Sequence, residues 1–317
     1  MNRSLTTQRS PLDHVLSGAI AGAIGGCAVE LVKAKEGKSK SKAIRDALDI
    51  ALSGGIIGGG AMAEALIAGL TTRGSVPASH ISVSEHKAVR CDLLTQRYAV
   101  HAQVGAESFL PRISVLILAV KPAAAAAAMQ ETAPLLKEGA LVLSIVAGLT
   151  IAEIEAAYPD HPVVRAMPNT PLAVGAGMSA FACGTHAGAA ESAAAEMILG
   201  AAGRTIAVQE GDLDAVTGLS GSGPAYAFLM MEALIEGGVA AGLRRETAAV
   251  LAAQTLRGAA EMALTGQSSP ADLRAAVTSP AGTTAAGLRM LERAGVRSAL
   301  IEAVLAATER SRELGRR

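Results

Sequence analysis

Between residues 51 and 208 short apolar runs alternate with helical stretches, and after Glu210 the strand signal stops. Residues 51–57 read as a strand and 61–72 as a helix. Residues 81–84 form a second strand, followed by a helix over 87–97. The run S-V-L-I-L-A-V at 114–120 is apolar at consecutive positions, as in a strand buried on both faces. Six alanines at 123–128 open a helix, because alanine loses least on entering one. Residues 141–146 read as another buried strand, 151–157 as a short helix, and 163–165 as a strand leading to M-P-N-T-P at 167–171. Residues 178–182 and 205–208 add strands. This alternation predicts an α/β fold with a Rossmann-like, doubly wound parallel sheet.

Residues 210–317 read as helices only. Pro224 follows Ser222-Gly223 at a first helical position. Ser269, Pro270 and Asp272 have the order of an N-cap, an N1 proline and a first-turn acid. Gly266 and Gly295 read as helix stops. The helix over 225–241 carries Phe228, Leu229, Met230, Met231, Leu234, Ile235 and Val239, which cover more than one face. Such a helix needs cover on most sides. A domain this small cannot supply it, so a partner chain is expected: a homodimer, or a higher homo-oligomer. The expected organisation is an extension over 1–45, a dinucleotide-binding domain over 46–209, and an all-α dimerisation and substrate domain over 210–317.

The chain has 317 residues, half of them apolar, with no Trp and three each of Tyr and Phe. Its core must therefore be aliphatic. Basic and acidic residues balance at 28 each. Nucleic-acid binding needs a basic excess on one face and is helped by stacking aromatics; neither is present. Cys27, Cys91 and Cys183 are too dispersed in sequence for a C-x-x-C motif, so neither a disulfide framework nor a metal site is expected. They read as small core residues in a reducing, cytoplasmic compartment.

The first residues are less committed. Residues 15–29 are uncharged and apolar, with Gly18, Gly22 and Gly26 at helical spacing. The run is shorter than the ~20 residues a spanning helix needs. Residues 33–42 are basic and polar. A soluble or peripheral extension, a targeting peptide and a membrane segment all remain open. No residue assigned to chemistry lies there, so activity has no membrane requirement.

Three segments carry the chemistry. The first is I-I-G-G-G-A-M-A, residues 56–63, which follows a strand and opens a helix. Gly58 makes the tight turn, Gly60 lets the backbone approach a pyrophosphate, and small Ala63 permits helix–strand packing. The second strand ends in Ser84-Glu85-His86-Lys87. An acid there suits a ribose 2′-hydroxyl, whereas Ser84, Lys87 and Arg90 suit a 2′-phosphate. The third comprises T-G-L-S-G-S-G-P-A-Y (217–226) and V-T-S-P-A-G-T-T-A-A-G-L (277–288). Both place Gly, Ser, Thr and Pro at helix starts, where free N–H groups suit a carboxylate or phosphate. In the second of these, three hydroxyls and free N–H groups at one helix start can grip a small carboxylate without a charged side chain.

These segments together resemble pyrroline-5-carboxylate reductases, over about residues 50–315. The resemblance implies hydride transfer from NADPH or NADH to 1-pyrroline-5-carboxylate, giving L-proline. NADPH is common in that family and tilts the cofactor expectation toward NADP. The dinucleotide site it implies comprises Gly58, Gly59, Gly60, Ala61, Met62 and Ala63, Ser84 and Lys87, Ala119, Val120, Lys121 and Pro122, and Val146, Ala147 and Gly148. The implied substrate contacts are Ser279, Ala281, Gly282, Thr283, Ser222, Asn169 and Gln267. Asn169 offers an amide near the nicotinamide, and Gln267 lies where a partner subunit's side chain often reaches the substrate. Thr284 is the candidate to orient the imine nitrogen and relay a proton. Ala61 stands where the family usually has Asn, and Ser268-Ser269 precede Pro270 where a histidine is common. These differences read as tuning.

Two alternatives belong beside this. A related imine or β-hydroxyacid reductase would need a lysine base after the nucleotide domain, and no lysine follows Lys137. A non-catalytic, nucleotide-responsive binding protein would have little use for the S-P-A-G-T-T segment.

Overall fold

The computed structural model describes residues 53–72 and 76–315. The extension expected over 1–45 and the first two residues of the first expected strand lie outside the described residues. The chain divides into two compact units between Glu210 and Gly211.

The first unit is an eight-stranded sheet in the order β3-β2-β1-β4-β5-β6-β7-β8. Its strands are β1 (Gly54–Ile57), β2 (Ile81–Ser84), β3 (His101–Gln103), β4 (Val115–Leu118), β5 (Leu141–Ser144), β6 (Val163–Met167), β7 (Gly177–Cys183) and β8 (Gly203–Ala207). The helices between them are α1 (Ala61–Thr72), α2 (Ala88–Tyr98), α3 (Pro122–Thr132), α4 (Ile151–Ala157) and α5 (Ala189–Gly200). Ile56, Leu66, Ile67, Val83, Ile117 and Phe181 belong to one aliphatic core on the sheet. β4 and β5 are buried at every position, which is why their sequences lack alternation.

The sheet departs from the parallel expectation at one place. β6 and β7 pair antiparallel, with Ala166 opposite Phe181. β7 and β8 are parallel to each other, so both run against the other six strands. The link from β6 to β7 contains only the tight turn Thr170–Val174, too short for the crossover a parallel return requires. The strands over 114–120 and 141–146 are shorter than expected, because the pairing of β1 with β4 stops at Ile57 and Leu118, and that of β4 with β5 at Leu118 and Ser144. β3 and α5 complete the sheet and its cover beyond the elements read from the sequence.

The second unit is helical throughout: α6 (Leu213–Val216), a π-turn (Thr217–Gly221), α7 (Gly223–Ala240), α8 (Arg245–Leu264), α9 (Pro270–Ala276), α10 (Thr283–Arg293) and α11 (Val296–Gly315). Gly266 and Gly295 end their helices with φ of 68° and 73°. Ser269 caps α9 in a capping box with Asp272. This unit has almost no interior of its own. Leu213, Ala248 and Ala252 are its buried apolar residues, and α7 buries none. Phe228 is 59% exposed and Leu229 67%. Among the described residues no helix is long and apolar enough to cross a membrane.

Candidate active site

The carboxyl ends of β2, β1, β4 and β5 are aligned, with Ile57 paired to both Ser84 and Leu118, and Leu118 to Ser144. β1 has β2 on one side and β4 on the other, so the strand order reverses beside it. That is where open α/β sheets bind ligands.

The glycine turn sits at this point. Gly58 has φ of 97°, and a Cβ on it would stand 2.7 Å from the Ala119 carbonyl oxygen. Only glycine satisfies both constraints. Its N–H donates to the Ser84 carbonyl at 2.8 Å, and the Ala119 N–H donates to the Ile57 carbonyl at 2.9 Å. Gly59 is buried, and its N–H donates to Glu85 Oε2 at 2.9 Å. Gly60 is exposed, and a Cβ on it would meet nothing within 4 Å. Ala61 and Met62 open α1, and Ala63 is fully buried beneath them. The first N–H groups of α1, which starts directly after Gly60, have no acceptor within the helix. The cradle therefore fits a pyrophosphate.

A network below the turn holds it in place. Arg90 Nε donates to the Gly59 carbonyl at 2.8 Å, and Arg90 Nη2 reaches Glu64 Oε2 at 2.5 Å. Arg97 and the Tyr98 hydroxyl donate to Glu64 Oε1 at 3.0 and 2.9 Å. Burial pushes the Glu64 carboxyl up, but hydrogen bonds from Arg90 and Tyr98 and the charges of Arg90 and Arg97 outweigh it and hold it below its ordinary value. The only sequence signal for Glu64 is an acid in a first helical turn.

Ser84 ends β2, and Lys87 stands exposed at the N-cap of α2. Ala119, Val120, Lys121 and Pro122 follow β4; Lys121 is the exposed N-cap of α3 and Pro122 its first residue. Val146 is buried and its N–H donates to Ser144 Oγ at 3.2 Å. Ala147 is exposed, and Gly148 turns the chain with φ of 78°. All of these lie at the carboxyl edge. Asn169 Oδ1 accepts the Met178 N–H at 2.8 Å, which ties the turn after β6 to β7. That bond is a structural task the sequence did not assign to its amide.

In the second unit, Ala281 has φ of 58°, a left-handed conformation costly for a residue with a Cβ. Strain of this kind gathers at ligand clamps. Gly282 is the extended N-cap of α10, and its N–H donates to the Ser279 carbonyl at 3.1 Å. A Cβ on Gly282 would strike Ser279 Oγ. Thr283 and Thr284 are the first two residues of α10, and both are exposed. Ser279, Ala281, Gly282, Thr283 and Thr284 thus form one turn and helix start. The neighbouring Thr278 is engaged elsewhere, its Oγ1 donating to the Arg274 carbonyl at 2.6 Å. Ser222 follows the π-turn directly, and its N–H closes that turn on the Thr217 carbonyl at 2.8 Å. Gln267 is exposed in the link between α8 and α9, without a hydrogen bond to the Ser279–Thr284 turn.

A Rossmann-type sheet with a glycine cradle at its switch point, followed by a helical unit that cannot cover itself, defines a dinucleotide-dependent oxidoreductase with a pairing domain. Residues 210–314 match the family model for pyrroline-5-carboxylate reductase dimerisation, and residues 54–148 match that for NADP oxidoreductase, coenzyme F420-dependent. The pyrroline-5-carboxylate reductase of Synechocystis sp. is 46% identical over 266 residues, covering 83% of this chain and 98% of the relative. That of Arabidopsis thaliana is 40% identical over 260 residues, covering 82% and 94%. The solved pyrroline-5-carboxylate reductase of Coxiella burnetii superposes with a TM-score of 0.79 at 37% identity, over 83% of this chain and 98% of the other. The Plasmodium falciparum pyrroline carboxylate reductase, solved with NADP bound, superposes at 0.75 and 29% identity, over 83% and 98%. The chain belongs to the pyrroline-5-carboxylate reductase family.

Proposed function

We propose that this protein reduces 1-pyrroline-5-carboxylate to L-proline, the last step of proline synthesis. The observation that carries this is the 46% identity to a pyrroline-5-carboxylate reductase spanning 98% of that relative's length. NADPH or NADH, when bound, supplies the hydride for the imine carbon. The glycine turn Gly58–Gly60 and the start of α1 hold its pyrophosphate, with Ala61, Met62 and Ala63 packing the helix close. Ser84 and Lys87 face the adenosine ribose. Ala119–Pro122 and Val146–Gly148 line the remainder of the dinucleotide groove.

The substrate carboxylate is held by Ser279, the strained Ala281, Gly282 and Thr283. Hydroxyls and main-chain N–H groups bind an anion without placing a cation beside the imine, so nothing opposes protonation of its nitrogen to the more electrophilic iminium. Ser222 and Gln267 complete the contacts, Gln267 from a partner subunit. The Thr284 hydroxyl orients the ring nitrogen and passes it a proton as the carbon is reduced. No general acid with a large pKa shift is needed, because the dinucleotide carries the difficult step.

The protein acts as a homodimer through α7 and its neighbours, with larger assemblies built from that dimer. Its place is the cytoplasm; of the cysteines expected as small core residues, Cys91 is buried but Cys183 is exposed. The test is oxidation of NADPH or NADH, followed at 25 °C, by purified protein with and without 1-pyrroline-5-carboxylate. Substrate-dependent oxidation with stoichiometric proline is expected. Its absence overturns the assignment.

A further inference from the structure

The end of β2 is more strongly organised than a surface loop requires. The Glu85 N–H donates to the Gln103 carbonyl at 3.0 Å, and the Glu85 carbonyl accepts the Cys91 thiol at 3.4 Å. Both sides of its backbone are therefore fixed. Its side chain turns inward, leaving the residue 8% exposed. Oε2 accepts the Gly59 N–H at 2.9 Å, from the residue between the two motif glycines. Oε1 accepts the Lys87 N–H at 3.2 Å and lies 2.6 Å from His86 Nδ1. An acceptor-only group is thus fixed against the turn that holds the dinucleotide.

The cations beside it are not equally placed to oppose that group. Arg90 spends Nε on the Gly59 carbonyl and Nη2 on Glu64, and its side chain is 27% exposed. Turning it toward a ligand would break the network that holds the turn. Lys87 is exposed and forms no ion pair among the described residues, so water and salt weaken its reach. In folds of this kind the acid ending β2 faces the adenosine ribose. A 2′-hydroxyl there donates to a carboxylate. A 2′-phosphate brings about −1.5 to −2 charges and no donor.

Resting on the reductase reading above, we propose that Glu85 is the residue that sets the choice between the two dinucleotides, and that it favours NADH. Like-charge juxtaposition in a partly buried site costs affinity steeply. The selectivity is expected to be at least about tenfold in Kd.

The test is isothermal titration of the wild-type protein and of Glu85→Gln with NADH and with NADPH at pH 8. Calorimetry suits the protein because it has no Trp to report binding by fluorescence transfer. The expected result is tighter NADH binding in the wild type, with the NADH-to-NADPH ratio falling at least about tenfold in the variant. Glutamine keeps an acceptor for the Gly59 N–H, so the turn is retained. A second measurement needs no variant: 5′-AMP should compete for the wild-type site better than 2′,5′-ADP. Tighter NADPH binding in the wild type, or equal weakening of both dinucleotides in Glu85→Gln, overturns the proposal. Normal turnover with NADPH preferred overturns it alone; failure of both dinucleotides to bind overturns the reductase reading with it. If both bind but pyrroline-5-carboxylate is not reduced, the reductase reading fails and the Kd ratio still decides Glu85.

Discussion

Gly218 packs on Thr308 so closely that a Cβ added to the glycine would stand 2.9 Å from the Thr308 nitrogen and 2.7 Å from the Val304 carbonyl oxygen. The π-turn Thr217–Gly221 is therefore seated directly on the backbone of α11, and Ser311 Oγ ties the same helix to Asp214 at 2.6 Å. Neither backbone can yield without breaking helix hydrogen bonds. Gly218→Ala should destabilise the protein by about 1–3 kcal/mol, the range for overpacking a fitted site. Urea denaturation checks this, and a midpoint equal to wild type would mean the turn has room.

Gly60 offers the opposite case. Open space surrounds the position of its missing Cβ. Gly60→Val should leave the melting temperature nearly unchanged while dinucleotide affinity collapses, because the branched side chain occupies the place proposed for the pyrophosphate. Calorimetric titration with NADPH and NADH measures this. Retained binding would reduce the glycine turn to a structural one.

Thr284 is the second residue of α10, beside the strained Ala281 and Gly282. Thr284→Ala should lower kcat by roughly 10- to 1000-fold with little change in dinucleotide affinity, the range for one positioned polar group. Steady-state kinetics at saturating dinucleotide would show it. An unchanged kcat removes Thr284 from the mechanism.

The helical unit exposes Phe228, Leu229, Met230 and Leu234 on α7 alone. Burying each large apolar side chain contributes about 1.5–3 kcal/mol, so pairing is expected to be obligate. Met231→Asp and Ile235→Asp, both half-buried positions on α7, should give aggregated or inactive protein. Light scattering should find no active monomer. A folded, fully active monomer at nanomolar concentration would refute a pairing role for this unit.

Tyr158 is buried, and burial pushes its hydroxyl up from 10.0 to about 12, with the Thr132 hydroxyl 2.6 Å away pulling modestly the other way. The folded state therefore holds this proton more tightly than the unfolded chain. Its stabilising effect is full below pH 10 and is lost as pH rises toward about 12. Tyr158→Phe should be less stable at neutral pH through loss of the Thr132 bond, yet its melting temperature should fall less between pH 10 and 12. Parallel melting curves across that window would contradict the assignment.

Much of the architecture is written in local sequence. Buried strands announce themselves as V-L-I-L and L-V-L-S, and the capping box at Ser269 and the glycine stops at 266 and 295 sit where side-chain chemistry alone requires them. The strand β3, His-Ala-Gln, gave no such signal, because an edge strand needs only backbone pairing with β2. Helix α5 lay hidden in an alanine-rich stretch with little periodicity. The glycine cradle and the Ser279–Thr284 turn were legible because both depend on residue types with unusual backbone freedom or hydroxyls.

What the sequence determined by itself is what short-range physics controls: which segments bury both faces, where helices begin and end, and where a backbone must turn tightly. The tertiary structure decided the rest. It reversed β7 and β8 against the other strands, since strand direction depends on how the chain returns to the sheet. It took the Asn169 amide oxygen and the Thr278 hydroxyl for backbone partners that local pattern cannot reveal. It placed Glu85 against Gly59 and engaged Arg90 with Glu64, partners 26 residues apart in each case. Contacts over such separations form only once the sheet has brought its carboxyl ends together.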